Sequence, residues 1–460
     1  MIGFATAKVP VTVTAGQATQ VTLQLSVTAI AMDEIVVTGT AGAVSKRTLG
    51  NAITKVDAAA VTAKTTINSV GELLQSKSPG LTLLPNAGTP GAASEMRIRG
   101  AASFGNNAPV VYVDGVRYNT ANLGQFSPSG ASHTGYSAQT TSALDMLNPN
   151  DIESIEVIKG PAAATLYGAD AAAGVIQIIT KKGKAGQEDL QWTGRYEYGQ
   201  NEWALPIPAN YTLCDAAKLA DPATWPGCVG KPLNTVLSSN PLREDPHALR
   251  VGDVQRASLS VRGGGTGYSF YVSGDLDDEQ GVFYNSHNVR RSLRGNFSVA
   301  PSDALDLQFT SSLINTNLQL PLADESAHSL LFSAFGGQPG KARPEGHEGW
   351  YGTNPEEANA YDNRTTADRL TLGATVNYRP FSWMRHRLTL GYDFTSSKAR
   401  IVSPPGSYDA RAVGHPEGVV AMRYPRNWMY TADYVGSADY QLSDNLSTVT
   451  SAGMQLNFSR

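Results

Sequence analysis

The stretch DIESIEVIKGPAAATLYGADAAAGVIQIITKK, residues 151–182, decides the fold of this 460-residue chain. Apolar Ile155 and Val157 alternate with Glu156, which is the pattern of a half-buried strand, and a Lys-Gly-Pro sequence ends that strand. Alanine and glycine fill the middle of the stretch and suit close backbone contact. Residues 175–180 are mostly apolar and β-branched, as in a strand that is buried on both faces. The stretch therefore predicts a small α/β unit.

Three segments upstream extend this unit. They are a helix at 69–81 (SVGELLQSKSPGL), a strand at 95–100 (EMRIRG) and a hairpin at 109–119 (PVVYVDGVRYN). Together with residues 151–182, and in this order, they resemble the plug domain of TonB-dependent outer-membrane transporters, most closely the SusC/RagA type of nutrient importer. The Lys-Gly-Pro sequence is closer to the form found in siderophore receptors, so the substrate class stays open at this point. The resemblance places the plug domain at 45–186.

Local signals support the predicted helix and hairpin. Ser69 and Glu72 have the spacing of a capping box, and the Pro-Gly sequence at 79–80 is expected to stop the helix. Asp114 and Gly115 form the dipeptide that favours a tight hairpin turn.

Two arginines are the candidate gating residues of the plug. Arg97 and Arg99 share one face of the strand at 95–100, and Met96 and Ile98 occupy the other face. One interpretation is a packed sheet with a solvated, charged face. The other is that these arginines pair with carboxylates of a barrel wall, because a gate requires polar contacts that can break. Both interpretations stay open.

The composition of the chain limits the classes of function that the sequence supports. The net charge of −4 gives no electrostatic reason to expect a nucleic-acid partner. No run of eighteen apolar residues predicts a membrane helix. A transmembrane barrel also has a low mean hydropathy, because lipid-facing and lumen-facing residues alternate, and this chain has the 45 glycines and 19 tyrosines that suit one. No secretory signal follows Met1, so we expect the true start of the protein to lie upstream.

Two segments precede the predicted plug. Residues 4–28 contain two alternating runs that resemble the last strands of the carboxypeptidase-regulatory-like β-sandwich of SusC-type proteins, and we assign residues 1–28 to a remnant of that domain. Residues 29–44 resemble a TonB box and its linker. Such a short β-forming segment can add to the sheet edge of a partner protein, although an ordinary edge strand is the alternative. The residues expected to bind TonB are Asp33, Glu34, Ile35, Val36, Val37, Thr38 and Gly39.

From residue 187 to residue 460 the sequence alternates apolar and polar residues with a period of two. The nine segments with this pattern are 190–198, 256–261, 268–276, 293–299, 305–313, 370–378, 388–394, 428–440 and 446–458. The connections between them are alternately long and short, with one of medium length at 379–387. Outer-membrane barrels show this rhythm of short periplasmic turns and longer outer loops, whereas a soluble β-sandwich is not expected to.

The predicted fold class is therefore mainly β: a transmembrane antiparallel β-barrel, incomplete in this chain, with an N-terminal α+β plug domain. Residues 187–460 are assigned to the first portion of the barrel. Transporters of this kind close at about 22 strands, so we expect further strands beyond residue 460.

The cysteines, histidines and acidic residues form no pattern in the sequence that predicts an enzyme. Cys214 and Cys228 both lie in the first long loop, where we expect a disulfide, with free thiols as the alternative. The seven histidines have no metal-ligand spacing, and we find no catalytic, metal or cofactor motif. An acidic cluster at 275–279 is expected to be a solvated turn rather than a cation site.

The resemblance implies active import of a bulky nutrient, an oligosaccharide or a peptide, across the outer membrane. It implies as partners TonB with its inner-membrane energising complex, a SusD-like surface lipoprotein and outer-membrane lipid. The alternatives are a siderophore or cobalamin receptor, a non-transporting surface adhesin or porin, and an inactive fragment. The sandwich remnant argues against the siderophore alternative.

Overall fold

The computed structural model describes most of the chain downstream of residue 52. The described residues are 35–36, 44–45, 53–75, 77–85, 88–92, 94–100, 107–120, 123, 143–160, 163, 167–186, 189–322, 329–407, 414–443 and 446–460. Upstream, β1 (Ile35–Val36) pairs antiparallel with β2 (Val44–Ser45). The sandwich strands predicted within 1–28 lie outside the described residues.

A five-stranded sheet forms the centre of residues 53–183, which we call the α/β module. The elements of the module are β3 (Ile53–Asp57), α1 (Ala58–Thr62), α2 (Val70–Leu74), β4 (Leu81–Pro85), β5 (Ser94–Ile98), β6 (Val110–Val113), β7 (Val116–Tyr118), β8 (Ile152–Ile158) and β9 (Val175–Thr180). Strands β4 and β5 form a separate two-stranded sheet. The strand order of the main sheet is β3-β8-β9-β6-β7, with β6 and β9 parallel and the other neighbours antiparallel. Short 3-10 turns lie at Leu144–Met146, Pro149–Asp151 and Ala169–Ala173.

Strand β8 is buried more completely than its alternating sequence predicts. Ile155 and Val157 pack into one apolar cluster, and Ile158 packs into a second cluster on the opposite face of the sheet. Glu156 is 0% exposed, so the half-buried interpretation of this strand was wrong. The reason is tertiary, because β8 is an interior strand of the sheet, between β3 and β9, and an apolar cluster covers each of its faces.

The turn and cap signals of the module are largely confirmed. Asp114 and Gly115 have φ angles of 49° and 85°, the left-handed conformation that a tight hairpin turn requires. Ser69 Oγ accepts the Glu72 N–H at 3.1 Å, but the Glu72 carboxylate accepts the N–H of Asn68, one residue before the capping-box position. Helix α2 also ends at Leu74, earlier than predicted, because Gln75 leaves the helical conformation with a ψ of 128°.

All nine predicted strands downstream of residue 187 form one antiparallel sheet, called here the wall, in which each strand pairs with the next. They are β10 (Gln191–Asn201), β13 (Gly252–Gly265), β14 (Tyr268–Gln280), β15 (His287–Ser302), β16 (Leu305–Gln319), β17 (Asp362–Phe381), β18 (Met384–Ser403), β20 (Arg426–Ser443) and β21 (Leu446–Ser459). The remaining strands lie in the long connections: β11 (Asn210–Cys214) pairs with β12 (Thr235–Ser239), and β19 (Val419–Arg423) pairs with β18.

The connections keep the predicted rhythm. Two-residue turns at 266–267, 303–304 and 382–383 lie at one end of the wall, and longer loops lie at the other. The connection predicted to be of medium length, 379–387, is also a two-residue turn, because β17 and β18 are each 20 residues long.

The two faces of the wall differ in the way the alternation predicts. Apolar side chains such as Phe309, Leu372 and Leu390 are exposed by 50%, 42% and 49% on one face. The polar face packs against the α/β module and buries residues such as Thr371 and Asp393. This arrangement is the reverse of a water-soluble sheet, in which the apolar face is the buried one.

The long loops carry short helices and an apolar core of their own. The helices are α3 (Ala216–Leu219), α4 (Pro241–Glu244), α5 (Leu330–Phe335) and α6 (Pro355–Ala360), with a 3-10 turn at Pro226–Cys228. Buried side chains of these helices and of the loops around them, including Leu242, Phe283, Leu331 and Trp350, form one apolar cluster. Among the described helices, none has the length and apolar character needed to cross a membrane.

Candidate functional site

The hairpin β6–β7 docks along a row of paired residues on the polar face of β17 and β18. Four alternate pairs of the register form this docking row: Arg369 with Thr395, Thr371 with Asp393, Gly373 with Gly391, and Thr375 with Thr389. The row is polar or small at every position, so it offers the hairpin hydrogen bonds and space rather than an apolar surface.

Arg369 is a fully buried charge in the docking row. Its Nε and Nη2 donate to the two carboxylate oxygens of Asp393 at 2.8 and 2.6 Å, and both side chains are 0% exposed. The same guanidinium donates to two carbonyl oxygens of the module, to Asn119 at 2.9 Å and to Ala143 at 3.3 Å. Asp393 accepts the Asn119 N–H at 3.1 Å, so the ion pair holds both polar backbone groups of that residue.

An aromatic ring completes this cluster. The guanidinium carbon of Arg369 lies 3.0 Å from the centre of the Tyr118 ring, which adds a cation–π contact in a water-excluded place. Burial raises the pKa of the Tyr118 phenol, and the nearby Arg369 charge opposes that shift only in part. Tyr118 therefore stays neutral, and the positive charge of Arg369 is balanced by Asp393.

Val116 occupies a socket made by two glycines of the docking row. A Cβ atom added to Gly391 would lie 2.6 Å from Val116 Cγ1, and one added to Gly373 would lie 3.0 Å from Val116 Cγ2. Val116 is 0% exposed. Glycine is therefore required here by close approach of the hairpin rather than by backbone conformation.

A second polar contact joins the module to β14 and β15. Arg294 lies between two module carboxylates, 3.5 Å from Asp151 and 3.8 Å from Asp114. Asp151 Oδ1 also accepts hydrogen bonds from Tyr271 and Ser273 of the wall, at 3.0 and 2.5 Å. All of these groups are buried, so the contact forms in a low-dielectric place where each bond is strong once made.

Arg290 extends this second contact. Its Nη1 donates to the carbonyl oxygens of Asp145 and Leu147 in the module, at 3.1 and 3.3 Å. Its Nη2 donates to Asp277 at 2.9 Å. The wall thus supplies the cations of both contacts, and the module supplies mainly carbonyl and carboxylate oxygens.

The acidic cluster at 275–279 belongs to this network. The interpretation as a solvated turn was wrong, because these residues lie on β14 and Asp277 is 5% exposed. Asp277 accepts from Arg256 at 3.0 Å as well as from Arg290, and Glu279 accepts from Arg256 at 2.8 Å. Among the described residues no group of three or more His, Cys, Asp or Glu side chains could hold a metal ion.

Arg97 lies near the end of β5, and Arg99 follows that strand directly. Met96 and Ile98 are buried at 8% and 3% exposure, whereas Arg97 is partly buried and Arg99 is exposed, so the predicted alternation is present. Arg99 has φ 58° and its N–H donates to Gly80 at 2.7 Å. A gating role for Arg97 and Arg99 stays a prediction.

Of the predicted TonB segment, Ile35 and Val36 are described, as strand β1. The other five residues, Asp33, Glu34, Val37, Thr38 and Gly39, lie outside the described residues. In the first long loop, Cys214 and Cys228 are joined by a disulfide with a Cα–Cα distance of 5.6 Å.

Sequence reasoning missed the wall arginines. Arg290, Arg294 and Arg369 each lie on an inward-facing position of an alternating strand, where small polar residues predominate. A long cation at such a position needs a partner inside, and this is the signal that could have identified them. Their partners are distant in sequence, so the pattern alone could not name them.

Comparisons with known proteins agree with this geometry. The family model described as the TonB-dependent Receptor Plug Domain matches residues 45–175. The TonB-dependent receptor SusC of Bacteroides thetaiotaomicron is 26% identical over 289 residues, which are 62% of this chain and 26% of that protein. The TonB-dependent receptor P3 of Formosa agariphila is 28% identical over 302 residues, 65% of this chain and 26% of its own length.

Solved structures share the fold. The RagAB peptide importer in its "open-open" state superposes with a TM-score of 0.68 at 20% identity, covering 92% of this chain and 48% of that one. The siderophore receptor PirA of Acinetobacter baumannii superposes less well, with a TM-score of 0.52 at 18% identity over 90% of this chain and 48% of that one. The chain spans about a quarter of the length of the curated relatives it matches and about half of these solved chains.

Proposed function

Since this chain belongs to the TonB-dependent receptors of the SusC/RagA type, which are outer-membrane proteins, we propose that it takes part in active import of an oligosaccharide or a peptide across that membrane. The α/β module is the plug of such a receptor, and the wall is part of its barrel. The module acts as a closure that must move before a bulky nutrient passes, and it performs no chemical step on that nutrient.

The observation that carries this proposal is the difference between the two faces of the wall: the apolar face is exposed, and the polar face contacts the α/β module. The exposed apolar face suits lipid, and the buried face holds the module through many hydrogen bonds and ion pairs, with Ile314 and Ala367 as its part of the module's apolar core. Polar contacts of this kind are strong while water is excluded, and water can replace them once it enters. An interface of this chemistry between the wall and the module suits a module that must open the barrel and close it again.

Energy would enter through the segment 33–39. The structure of Ile35 and Val36, a short strand paired with Val44 and Ser45, supports the idea that this segment can also pair with the sheet edge of TonB. TonB and its inner-membrane complex would then pull on residues directly upstream of β3. A SusD-like surface lipoprotein would bind at the loop end of the wall, as the pairing in the RagAB structures suggests.

The test is a pair of proline substitutions in the complete receptor. Ile35→Pro removes an N–H that strand pairing with TonB requires, whereas Ala41→Pro places the same residue in the linker. We expect energised uptake of the nutrient to be lost in Ile35→Pro and kept in Ala41→Pro, with equal amounts of both proteins in the outer membrane. Uptake that continues in Ile35→Pro at the wild-type rate would contradict TonB-dependent import.

A further inference from the structure

A small apolar cavity lies in the loop end of the wall. It has a volume of about 30 Å³. Segments from three different connections enclose it, and the apolar part of its lining consists mainly of Phe283, Leu322, Leu330, Leu331, Ala358 and Tyr361. Because these segments are far apart in sequence, the cavity exists only when the loops are packed together.

The hydroxyl of Thr353, which belongs to the lining, lacks a partner. Thr353 is 3% exposed, and its Oγ1 makes no hydrogen bond to any other described residue. Among the neighbouring polar groups, Asn285 Nδ2 donates to the Ala358 carbonyl at 2.8 Å, and Ser407 Oγ donates to the Pro404 carbonyl at 2.8 Å. The Glu357 carboxylate, also in the lining, lies 3.4 Å from His347 Nε2. A buried hydroxyl without a partner costs stability, so this one is placed to receive a bond from outside the loops.

The volume limits what can enter. One water-sized group needs roughly 10–15 Å³ by this measure, so about two or three such groups fit. That is the size of the branched end of a valine or leucine side chain. A sugar ring is much larger, and most of its carbons carry hydroxyl groups that would each need a partner on burial.

From the lining, the unpartnered hydroxyl and the volume, we infer that this cavity binds a branched aliphatic side chain of a peptide, with Thr353 Oγ1 bonded to the adjacent peptide main chain. The inference rests on the proposed function and narrows it, since it selects peptides over oligosaccharides. The cavity selects for side-chain size and polarity, and the main-chain bond works for any peptide sequence.

The test is calorimetric titration of the purified receptor in detergent with the tetrapeptides Ala-Leu-Ala-Ala and Ala-Ser-Ala-Ala and with maltotetraose. We expect the leucine peptide to bind roughly ten- to hundredfold more tightly than the serine peptide, because its side chain leaves water. Maltotetraose is expected not to compete with it. Equal binding of the two peptides, or binding of maltotetraose in the cavity, would overturn the inference.

Variants locate the binding. Ala358→Leu fills the cavity and is expected to weaken binding of the leucine peptide at least tenfold, whereas Ala360→Leu, on the exposed side of the same helix, leaves it unchanged. Thr353→Val keeps the shape and removes the hydroxyl, so a two- to tenfold loss is expected, in line with one hydrogen bond of about 0.5–1.5 kcal/mol. Wild-type affinity in both Ala358→Leu and Thr353→Val would overturn the site.

This titration is independent of energy coupling. A leucine preference in binding together with uptake that survives Ile35→Pro would defeat the proposed import mechanism and leave the peptide site standing. Uptake that depends on Ile35 together with no leucine preference would do the reverse.

Discussion

Arg369 of the wall and Asp393 on the neighbouring strand form an ion pair with 0% exposure of either side chain, and together they bind the N–H and the carbonyl of Asn119 in the α/β module. The hydrogen bonds of this ion pair to residue 119 therefore involve its backbone rather than its side chain. Because every residue except proline has both backbone groups, any of them at position 119 can make this contact with the wall.

Removal of one partner from this pair should be costly. In Arg369→Met, Asp393 stays buried without its cation, and we expect a loss of about 3–5 kcal/mol in the free energy of unfolding. Arg385→Met is the control, because its pair with Asp439 is 27% and 39% exposed and should contribute less than about 1 kcal/mol. Urea unfolding of the receptor in detergent measures both. Similar losses in the two variants would contradict a special role for the buried pair.

The glycine socket should be sterically selective. Gly391→Ala places a methyl group against Val116, and we expect it to weaken docking of the module by about 1–3 kcal/mol. Val116→Ala in the same protein should recover part of that loss, so the double variant costs less than the sum of the single ones. Gly274→Ala is the matched control, since its nearest neighbour is Leu293 Cδ1 at 4.0 Å. Additive effects of the Gly391 and Val116 changes would show that the two residues do not meet.

The loop disulfide should stabilise its loop without affecting the module. Cys214 and Cys228 are 14 residues apart, and a bridge of that span contributes about 3 kcal/mol in the chain-entropy model. With both residues changed to Ser, we expect protease to cut within 202–251 faster than in the wild type. Thermal release of the module from the wall should be unchanged. A shift in that thermal midpoint would show that the loop supports the module as well.

Lys181 should make stability depend on pH. Burial lowers the pKa of its ammonium group below the ordinary value of 10.5, with the Asp151 charge opposing the shift. The unfolded chain then binds the proton more tightly, so the charged lysine disfavours the folded state at neutral pH, and this penalty fades as the pH rises toward 10.5. Lys181→Met is therefore expected to raise the thermal midpoint at pH 7 by more than it does near pH 10.5. Lys184→Met, at an exposed position, should show no such pH dependence.

Much of the fold could be predicted because its signals are local. The nine wall strands follow from alternation along the chain, and the turn at Asp114 and Gly115 follows from two residues. Two of the errors have one cause in common: burial by a distant part of the chain. Glu156 and Asp277 were expected to be solvated, and each is buried by strands or side chains that periodicity does not reveal.

The sequence by itself determined the strands, the order of the module elements and the family, because each depends on neighbouring residues and on motifs read in order. Only the tertiary structure decided which charged and hydrogen-bonding groups contact each other. Asn119 and Asp393 are separated by 274 positions, and Asp151 lies 122 positions from Ser273. Such pairs form when the module docks on the polar face of the wall, where exclusion of water makes every buried charge and hydrogen-bonding group require a partner.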